Sequence, residues 1–224
     1  MKRVLRDNGL GLGFGLLFLL ALFGQAIAGH ADFNNQQLAA GAATESFGQY
    51  LTSSSFAVDV AENWQSEYLQ FTLYIIATVW LIQRGSPESK EPDEIGPESD
   101  EKQLLGAHTT KQSPKWARAG GFRTAVFSRS LVLVMGGLFF LSWLAQSIAG
   151  QASYNSDQFA DHEAPLTWLG YLGSADFWNR TLQNWQSEFL AVGSMAVFSI
   201  WLRERGSPES KPVGAPHRET GSSV

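Results

Sequence analysis

The chain has 224 residues, a formal net charge of −5 and no cysteine. The absence of cysteine excludes a disulfide framework and any metal or nucleophile site built on thiolates. The modest acidic balance provides no basic surface of the kind that nucleic acids require, so we expect no nucleic-acid partner. The mean hydropathy of −0.10 conceals four apolar segments near the roughly 20 residues that a membrane-spanning helix needs. They lie at 10–29, 64–82, 131–149 and 185–202.

The first apolar segment follows a basic start and opens with alternating glycines. Two glycine pairs have the small-xxx-small spacing that lets membrane helices approach closely, which predicts a helix-contact face. These pairs are Gly9 with Gly13 and Gly11 with Gly15. The segment also has the basic start and small-x-small end of a secretory signal. We expect it to be retained, because its apolar stretch is longer than that of a signal and its ending recurs at 147–149.

Two polar loops, 30–60 and 151–181, follow the first and third apolar segments and carry aromatic residues towards their ends. Such aromatic side chains favour the headgroup level, which is typical of short amphipathic turns on the membrane surface. A lid over a ligand pocket is the alternative. The His–carboxylate groupings of these loops, His30 with Asp32 and the run 161–163, lack counterparts in the other loop. The sequence therefore predicts no metal site.

The second and fourth apolar segments share the same beginning and the same end. Serine residues precede both, and as good N-cap residues they predict helices that begin near Ser55 and near Ala175. Arg-Gly-Ser-Pro follows both segments, at 84–87 and 205–208. We interpret it as a helix end with arginine in the last turn, glycine at the C-cap and proline as a stop. The Glu-Ser-Lys that comes next in both places is not explained in this way, and a docking site for a cytoplasmic partner is the alternative.

The two halves of the chain repeat one another at an offset of 121 residues. Asn-Trp-Gln-Ser-Glu occurs at 63–67 and 184–188, and Gly-Ser-Pro-Glu-Ser-Lys occurs at 85–90 and 206–211. Because one offset relates both pairs, the pattern indicates a tandem duplication. The prolines and charges between the copies argue against a packed core there. We predict a first membrane hairpin at 1–90, a cytoplasmic disordered linker at 91–125, a second membrane hairpin at 126–211 and a disordered tail at 212–224.

The basic residues predict the orientation of these hairpins. All but one of the 16 lysines and arginines lie before the first apolar segment, between the copies or beyond the fourth segment, and Arg180 is the exception. The positive-inside rule then places both termini and the linker in the cytoplasm. The sequence therefore predicts an all-α membrane protein with four transmembrane helices, arranged as two tandemly repeated, same-orientation helical hairpins.

A cluster of polar residues is predicted near the outer ends of the four segments. Polar groups at such depths usually face the bundle interior and find partners, so we expect Gln25 to pair with Glu67, and Gln146 with Glu188. Hydrogen bonds that join the hairpins are one interpretation, and a cluster that binds a cation or relays a proton is the other. The candidate residues are Gln25, Asn63, Glu67, Gln146, Asn184 and Glu188.

These duplicated motifs, together with Gln-Ala-Ile-Ala-Gly at 25–29, resemble a family of small bacterial multi-span membrane proteins known only as a domain of unknown function. The resemblance extends over nearly the whole chain except the linker and the tail. It implies location in a bacterial cytoplasmic membrane, and it brings no activity, cofactor or catalytic residue.

The expected function is structural or accessory rather than enzymatic, with no cofactor, no metal and no catalytic residue. The expected partners are the lipid bilayer and either further copies of the chain or other membrane proteins. The alternative is a small transporter or an ion- or proton-binding protein that uses Glu67 and Glu188. No phosphate-binding loop or catalytic triad spacing favours an enzyme.

Overall fold

The computed structural model describes residues 2–221, and every regular element in that range is helical. The predicted all-α class is confirmed for this part of the chain. The predicted tail at 212–224 extends beyond the described residues at its last three positions. In chain order the α-helices are α1 (Lys2–Asp7), α2 (Gly9–Ala39), α3 (Phe47–Leu51), α4 (Ser54–Trp80), α5 (Lys115–Ala119), α6 (Gly121–Phe127), α7 (Ser130–Ala160), α8 (Trp168–Leu172) and α9 (Ala175–Phe198).

Two of these helices, α2 and α7, are long and apolar enough to cross a membrane. Each has 31 residues, and each contains one of the predicted apolar segments, 10–29 and 131–149. Only 6% of the most apolar stretch of α2 is buried, and 22% of that of α7. The prediction of membrane-spanning helices is thus supported for two of the four segments. The other two lie largely in α4 and α9, which are less apolar.

The beginnings of α4 and α9 are set by the predicted serine caps. Ser53 Oγ accepts a hydrogen bond from the Phe56 backbone N–H at 3.2 Å. Ser174 Oγ accepts one from the Phe177 N–H, also at 3.2 Å. Each bond satisfies one of the N–H groups that a helix start leaves without an internal acceptor. The predicted starts near Ser55 and Ala175 are therefore confirmed.

The predicted helix ends are wrong. Helix α4 stops at Trp80 and α9 stops at Phe198, so neither reaches the glycine expected at its C-cap. Gly85 (φ 90°) and Gly206 (φ 85°) instead lie in the turns that follow. After α9 the Arg203 guanidinium donates to the backbone carbonyl oxygens of residues 199 and 200, both at 3.1 Å. A side chain thus satisfies acceptors that a continued helix would have used.

The chain divides into two compact units, and each unit combines segments from both halves of the sequence. The first unit is Met1–Val60 with Ala145–Tyr171, and the second is Ala61–Leu144 with Leu172–Val224. Between the two copies the second unit contains turns, a 3₁₀ turn at Gly106–His108, and the short helices α5 and α6. The sequential domain boundaries and the disorder of the 91–125 linker stay predictions.

The first unit is organised around a buried tyrosine from α3. Tyr50 is 2% exposed, and its hydroxyl packs directly against Gly29 of α2, where a Cβ atom would overlap it. Asn34 closes the loop between these helices, because its amide donates to the Glu45 carbonyl oxygen at 2.9 Å and accepts from the Glu45 N–H at 2.8 Å. His30 Nε2 lies 2.7 Å from the same carbonyl oxygen, so this histidine serves the loop backbone.

The same arrangement occurs 121 residues later in the first unit. Asn155 exchanges two hydrogen bonds with the Leu166 backbone at 2.9 and 2.8 Å, and Tyr171, which is fully buried, packs its hydroxyl against Gly150. Gln151 Nε2 donates to the Leu166 carbonyl oxygen at 2.9 Å, which is the contact that His30 makes at the corresponding position. Because glutamine replaces histidine without loss of this bond, the position is used for loop closure in both places.

Candidate functional site

The polar side chains of the second unit connect α4 to α9 along one face of each helix. At the beginning of this face Arg180 Nη1 lies 3.1 Å from Glu62 Oε2, and Arg180 Nε lies 3.4 Å from Asp176 Oδ2. Glu62 is only 16% exposed in its side chain. The single basic residue that the sequence places away from the others is therefore held between two carboxylates of the second unit.

The contact continues into the repeated pentamer. Gln65 is completely buried, and its Oε1 accepts a hydrogen bond from Trp185 Nε1 at 2.8 Å. Ser66 is 2% exposed; its hydroxyl donates to the Asn63 carbonyl oxygen at 2.9 Å and lies 3.5 Å from Glu188 Oε1. The Gln65–Trp185 and Ser66–Glu188 contacts join the two pentamers, and each copy of the motif uses different positions for them.

Gln65 and Trp185 were not among the residues predicted from the sequence. The signal that could have identified them is the pentamer itself, since both belong to it. The prediction favoured the glutamate at the end of the motif, because a charged group near the membrane boundary was expected to find a partner inside the bundle. The structure places an interhelical hydrogen bond earlier in the motif, between the amide of Gln65 and the indole of Trp185.

An aromatic shell surrounds this hydrogen bond. The Trp143 ring stacks on Phe139 with centroids 5.6 Å apart and on Phe177 at 6.0 Å, and it approaches Trp185 at 6.1 Å. Offset and tilted ring pairs of this kind contribute about 0.5–1.5 kcal/mol each beyond area burial. In such apolar surroundings the Gln65–Trp185 bond is expensive to break, because water cannot replace it. Within the described residues, two buried donors of this shell, Gln65 Nε2 and Trp143 Nε1, have no acceptor.

The predicted polar cluster is distributed over both units. In the first unit Gln25 is half-buried and Gln146 is completely buried. In the second unit the Asn63 and Glu67 side chains are exposed, and Asn184 and Glu188 are half-buried. The structure brings Glu67 close enough to Glu188 for their charges to interact. The expected pairs, Gln25 with Glu67 and Gln146 with Glu188, join residues of different units and stay predictions.

The second repeated motif forms the same turn at 85–90 and at 206–211. Ser89 Oγ accepts from the Gln83 N–H at 2.8 Å, and Ser210 Oγ accepts from the Glu204 N–H at 2.9 Å. Each serine hydroxyl also donates to the carbonyl oxygen of the next residue at 3.1 Å. The glycine with positive φ and the serine of the motif therefore shape this turn, whereas the sequence indicated a helix C-cap for the glycine and no role for the serine.

The lysines that end these turns are both engaged with the backbone. Lys90 Nζ donates to the Gly96 carbonyl oxygen at 3.0 Å and forms an ion pair with Glu98 at 3.3 Å. Lys211 is 3% exposed, and its ammonium donates to the Gly85 carbonyl oxygen at 2.5 Å. The same ammonium also donates to the carbonyl oxygens of residues 216, 217 and 219, at 3.0–3.3 Å. Lys211 thus holds the C-terminal segment against the first turn.

The chemistry that these groups offer is limited to hydrogen bonding and charge. Among the described residues no group of three or more His, Cys, Asp or Glu side chains is placed to hold a metal ion. Glu67 and Glu188 are the acidic residues of the two pentamers, and neither forms an ion pair with a basic side chain among the described residues. The site can therefore serve as an interhelical contact or, at most, as a cation site with two carboxylate ligands.

Comparison with known protein families matches residues 1–222 to the family described as “Domain of unknown function (DUF6766)”. No curated protein and no solved structure matches the chain.

Proposed function

The chain belongs to this DUF6766 family, and we propose that it is an integral membrane protein with four spans and a structural or accessory role rather than an enzymatic one. The observation that carries the proposal is the exposure of α2, of which only 6% of the most apolar stretch is buried. Phe14 and Leu16, for example, are 66% and 59% exposed. Apolar surface on this scale is unfavourable in water and favourable in lipid.

Two similar hairpins account for the remaining spans. The loop bonds of Asn34 and Asn155, and the turn bonds of Ser89 and Ser210, are equivalent at an offset of 121 residues. This agreement supports a duplicated hairpin in which α4 and α9 return through the bilayer. The lower hydropathy of α4 and α9 is consistent with spans that use polar side chains for contact with each other.

The proposed location is a bacterial cytoplasmic membrane, with both termini and the linker on the cytoplasmic side. The distribution of the lysines and arginines supports this orientation. Arg180, the exception, is neutralised by Glu62 and Asp176, which lowers the cost of placing it at the outer boundary.

The proposed role is association, within the chain and with further copies or other membrane proteins. The internal polar groups of the second unit are largely occupied by each other, as in the Gln65–Trp185 and Arg180–Glu62 contacts. The glycine face of α2 has the opposite character. A Cβ atom added at Gly9 or Gly13 would meet nothing within 4 Å. A face of this kind is available to a neighbouring helix.

Cysteine labelling in intact cells tests the topology. Single cysteines at Ala43 and Ser156 are expected to react with an impermeant thiol reagent, and one at Gln112 is expected to react only after the cells are opened. All three positions are exposed and form no side-chain cap, so the substitutions leave the local structure intact. Extraction of the chain by alkaline carbonate, or labelling of Gln112→Cys from outside, would contradict the proposal.

The alternative function is cation or proton binding by Glu67 and Glu188. The observation that favours it is the proximity of two carboxylates whose charges interact beside exposed surface. If they act structurally, Glu→Gln is tolerated in thermal melting and Glu→Leu is worse, by no more than about 1.7 kcal/mol for one interhelical hydrogen bond. If they bind a cation, Glu→Gln removes cation-dependent stabilisation and leaves the melting temperature without added cation nearly unchanged. Equal melting of wild type and both variants would refute the structural role.

A further inference from the structure

A cavity of about 650 Å³ lies in the second unit, beyond the ends of α4 and α9. It is built from three stretches: the turn after α4, the residues just after α9, and the C-terminal segment that Lys211 holds in place. Its lining combines positive charge with apolar surface. The residues are Gln83, Arg84, Ile200, Trp201, His217 and Arg218.

Among residues 2–221, no ion pair neutralises the two arginines of this cavity. Arg84 and Arg218 are exposed, and neither forms an ion pair within the described residues. Arg203, adjacent to the cavity, uses its guanidinium on backbone carbonyl oxygens, and its Nη2 lies 3.5 Å from His217 Nδ1. His217 Nδ1 lies 3.1 Å from the Ile200 carbonyl oxygen, which fixes the ring at the wall of the cavity.

The apolar part of the lining is graded from buried to exposed. Ile200 is 7% exposed and forms the floor, whereas Trp201 is 56% exposed and stands at the rim. Leu202, next to it, is 64% exposed. Tryptophan at a rim beside arginine is typical of the level where lipid headgroups meet acyl chains. The cavity thus presents charged donors and an apolar rim side by side.

We propose that this cavity binds the phosphate group of an anionic phospholipid from the cytoplasmic leaflet. Arg84 and Arg218 provide guanidinium donors for the phosphate oxygens, and guanidinium geometry suits phosphate recognition. Trp201 and Leu202 contact the first part of the acyl chains. Basic pockets between membrane helices on the cytoplasmic side have the electrostatics that such lipids require. The inference rests on the proposed membrane function, because the lipid reaches the cavity only if the ends of α4 and α9 lie at the bilayer surface.

The duplication supplies a matched control. Arg205 corresponds to Arg84 at the offset of 121 residues, and it carries the same charge on the same turn. It lines a different cavity together with Glu204, Pro208 and Lys211, and it does not contribute to the one described here. A general attraction of basic turns to anionic membranes would involve Arg84 and Arg205 alike. A specific site would involve Arg84 and not Arg205.

The experiment measures binding of short-chain phosphatidylglycerol to the purified full-length protein in neutral detergent. Each basic residue near an anionic membrane contributes an affinity factor of about 5, so the Arg84→Ala/Arg218→Ala variant is expected to bind about 30-fold more weakly. Arg205→Ala is expected to change the affinity less than about 2-fold. Equal weakening by Arg205→Ala, or no weakening in the double variant, would overturn the site.

Two further measurements distinguish a lipid phosphate from a free phosphate, and test the site independently of the membrane topology. Inorganic phosphate at the same concentration is expected not to displace the lipid, because it lacks the acyl chains that contact Trp201. Displacement by inorganic phosphate would assign the cavity to a soluble anion instead and overturn the lipid proposal. Arg84→Lys/Arg218→Lys keeps the charge and controls for folding. Because short-chain lipid is added in solution, the titration gives a result even if the cysteine labelling refutes the four-span topology, so the two proposals fail separately.

Discussion

Replacing Gly29 by alanine tests the packing of the first unit at its tightest contact. In a helix interior, alanine is more favourable than glycine by about 0.5–1 kcal/mol. At Gly29 the new methyl group would overlap the Tyr50 hydroxyl, and the next ring atom, Cζ, would lie at 3.1 Å. Overpacking of this kind costs about 1–3 kcal/mol. The net expectation is a loss of about 1–2 kcal/mol, or about 3–6 °C in melting temperature for a chain of this size.

The control comes from the same helix. At Gly24 an added Cβ atom meets nothing within 4 Å, so Gly24→Ala is expected to melt at or slightly above the wild-type temperature. Tyr50→Phe removes the clashing oxygen, and combined with Gly29→Ala it is expected to recover most of the lost stability. At Gly150 the rescue by Tyr171→Phe is expected to be smaller, because two ring carbons lie at 3.0 Å there.

The assay is thermal melting of the detergent-solubilised protein, followed by near-ultraviolet circular dichroism or by a dye that reports exposed apolar surface. The four proteins of each double-mutant cycle are compared under one condition. If Gly29→Ala melts like Gly24→Ala, or if Tyr50→Phe gives no recovery, the helix does not pack on the tyrosine hydroxyl and the reasoning is refuted.

Three further predictions follow from other contacts. Asn34→Ala removes both bonds to the Glu45 backbone and is expected to cost about 1–3 kcal/mol in thermal melting, whereas Asn35→Ala, at an exposed position, is expected to be neutral; similar losses would contradict the closure role. Burial and the nearby Asp59 and Asp32 carboxylates raise the pKa of Tyr50 above its ordinary value of 10.0, so stability is expected to fall as pH rises above about 10. Tyr50→Phe should remove that slope, and an unchanged slope would show that another group titrates. Lys211→Ala is expected to make the C-terminal segment about tenfold more sensitive to limited proteolysis, while loss of the exposed Lys111 leaves the cleavage rate unchanged.

The sequence predicted the local signals of this fold better than its long-range contacts. Ser174 was recognisable as an N-cap because capping depends on residues within one turn. The end of α9 at Phe198 was not, because the residues just after it make contacts with the C-terminal segment: Arg203 donates to the Ala215 carbonyl oxygen, and His217 Nδ1 lies 3.1 Å from the Ile200 carbonyl oxygen. Gly206 looked like a helix C-cap because a glycine followed closely by a proline commonly ends a helix. Gly206 does have a positive φ, but the helix ends before reaching it.

At the candidate site, too, the sequence predicted local features better than long-range contacts. The pentamers at 63–67 and 184–188 have identical letters, so no local property distinguishes them. Yet Gln65 is completely buried, and its counterpart Gln186 is exposed. Which copy buries its amide is decided by the side chains that surround each helix in the folded protein. The exposure of Glu67, for which a partner inside the bundle was expected, could not be read from the sequence for the same reason.

If the two halves of the chain are the related hairpins proposed above, the Arg180–Glu62 pair has a consequence for how such hairpins recognise each other. The counterpart of Arg180 in the first copy is Asp59, and the counterpart of Glu62 in the second copy is Gln183. Two first copies meeting in this register would set Asp59 against Glu62, which repel. Two second copies would set Arg180 against Gln183, which lack a charge pair. Only the unlike combination is complementary, so an ancestral homodimer that became fused would, through these substitutions, have lost the ability to return to self-pairing.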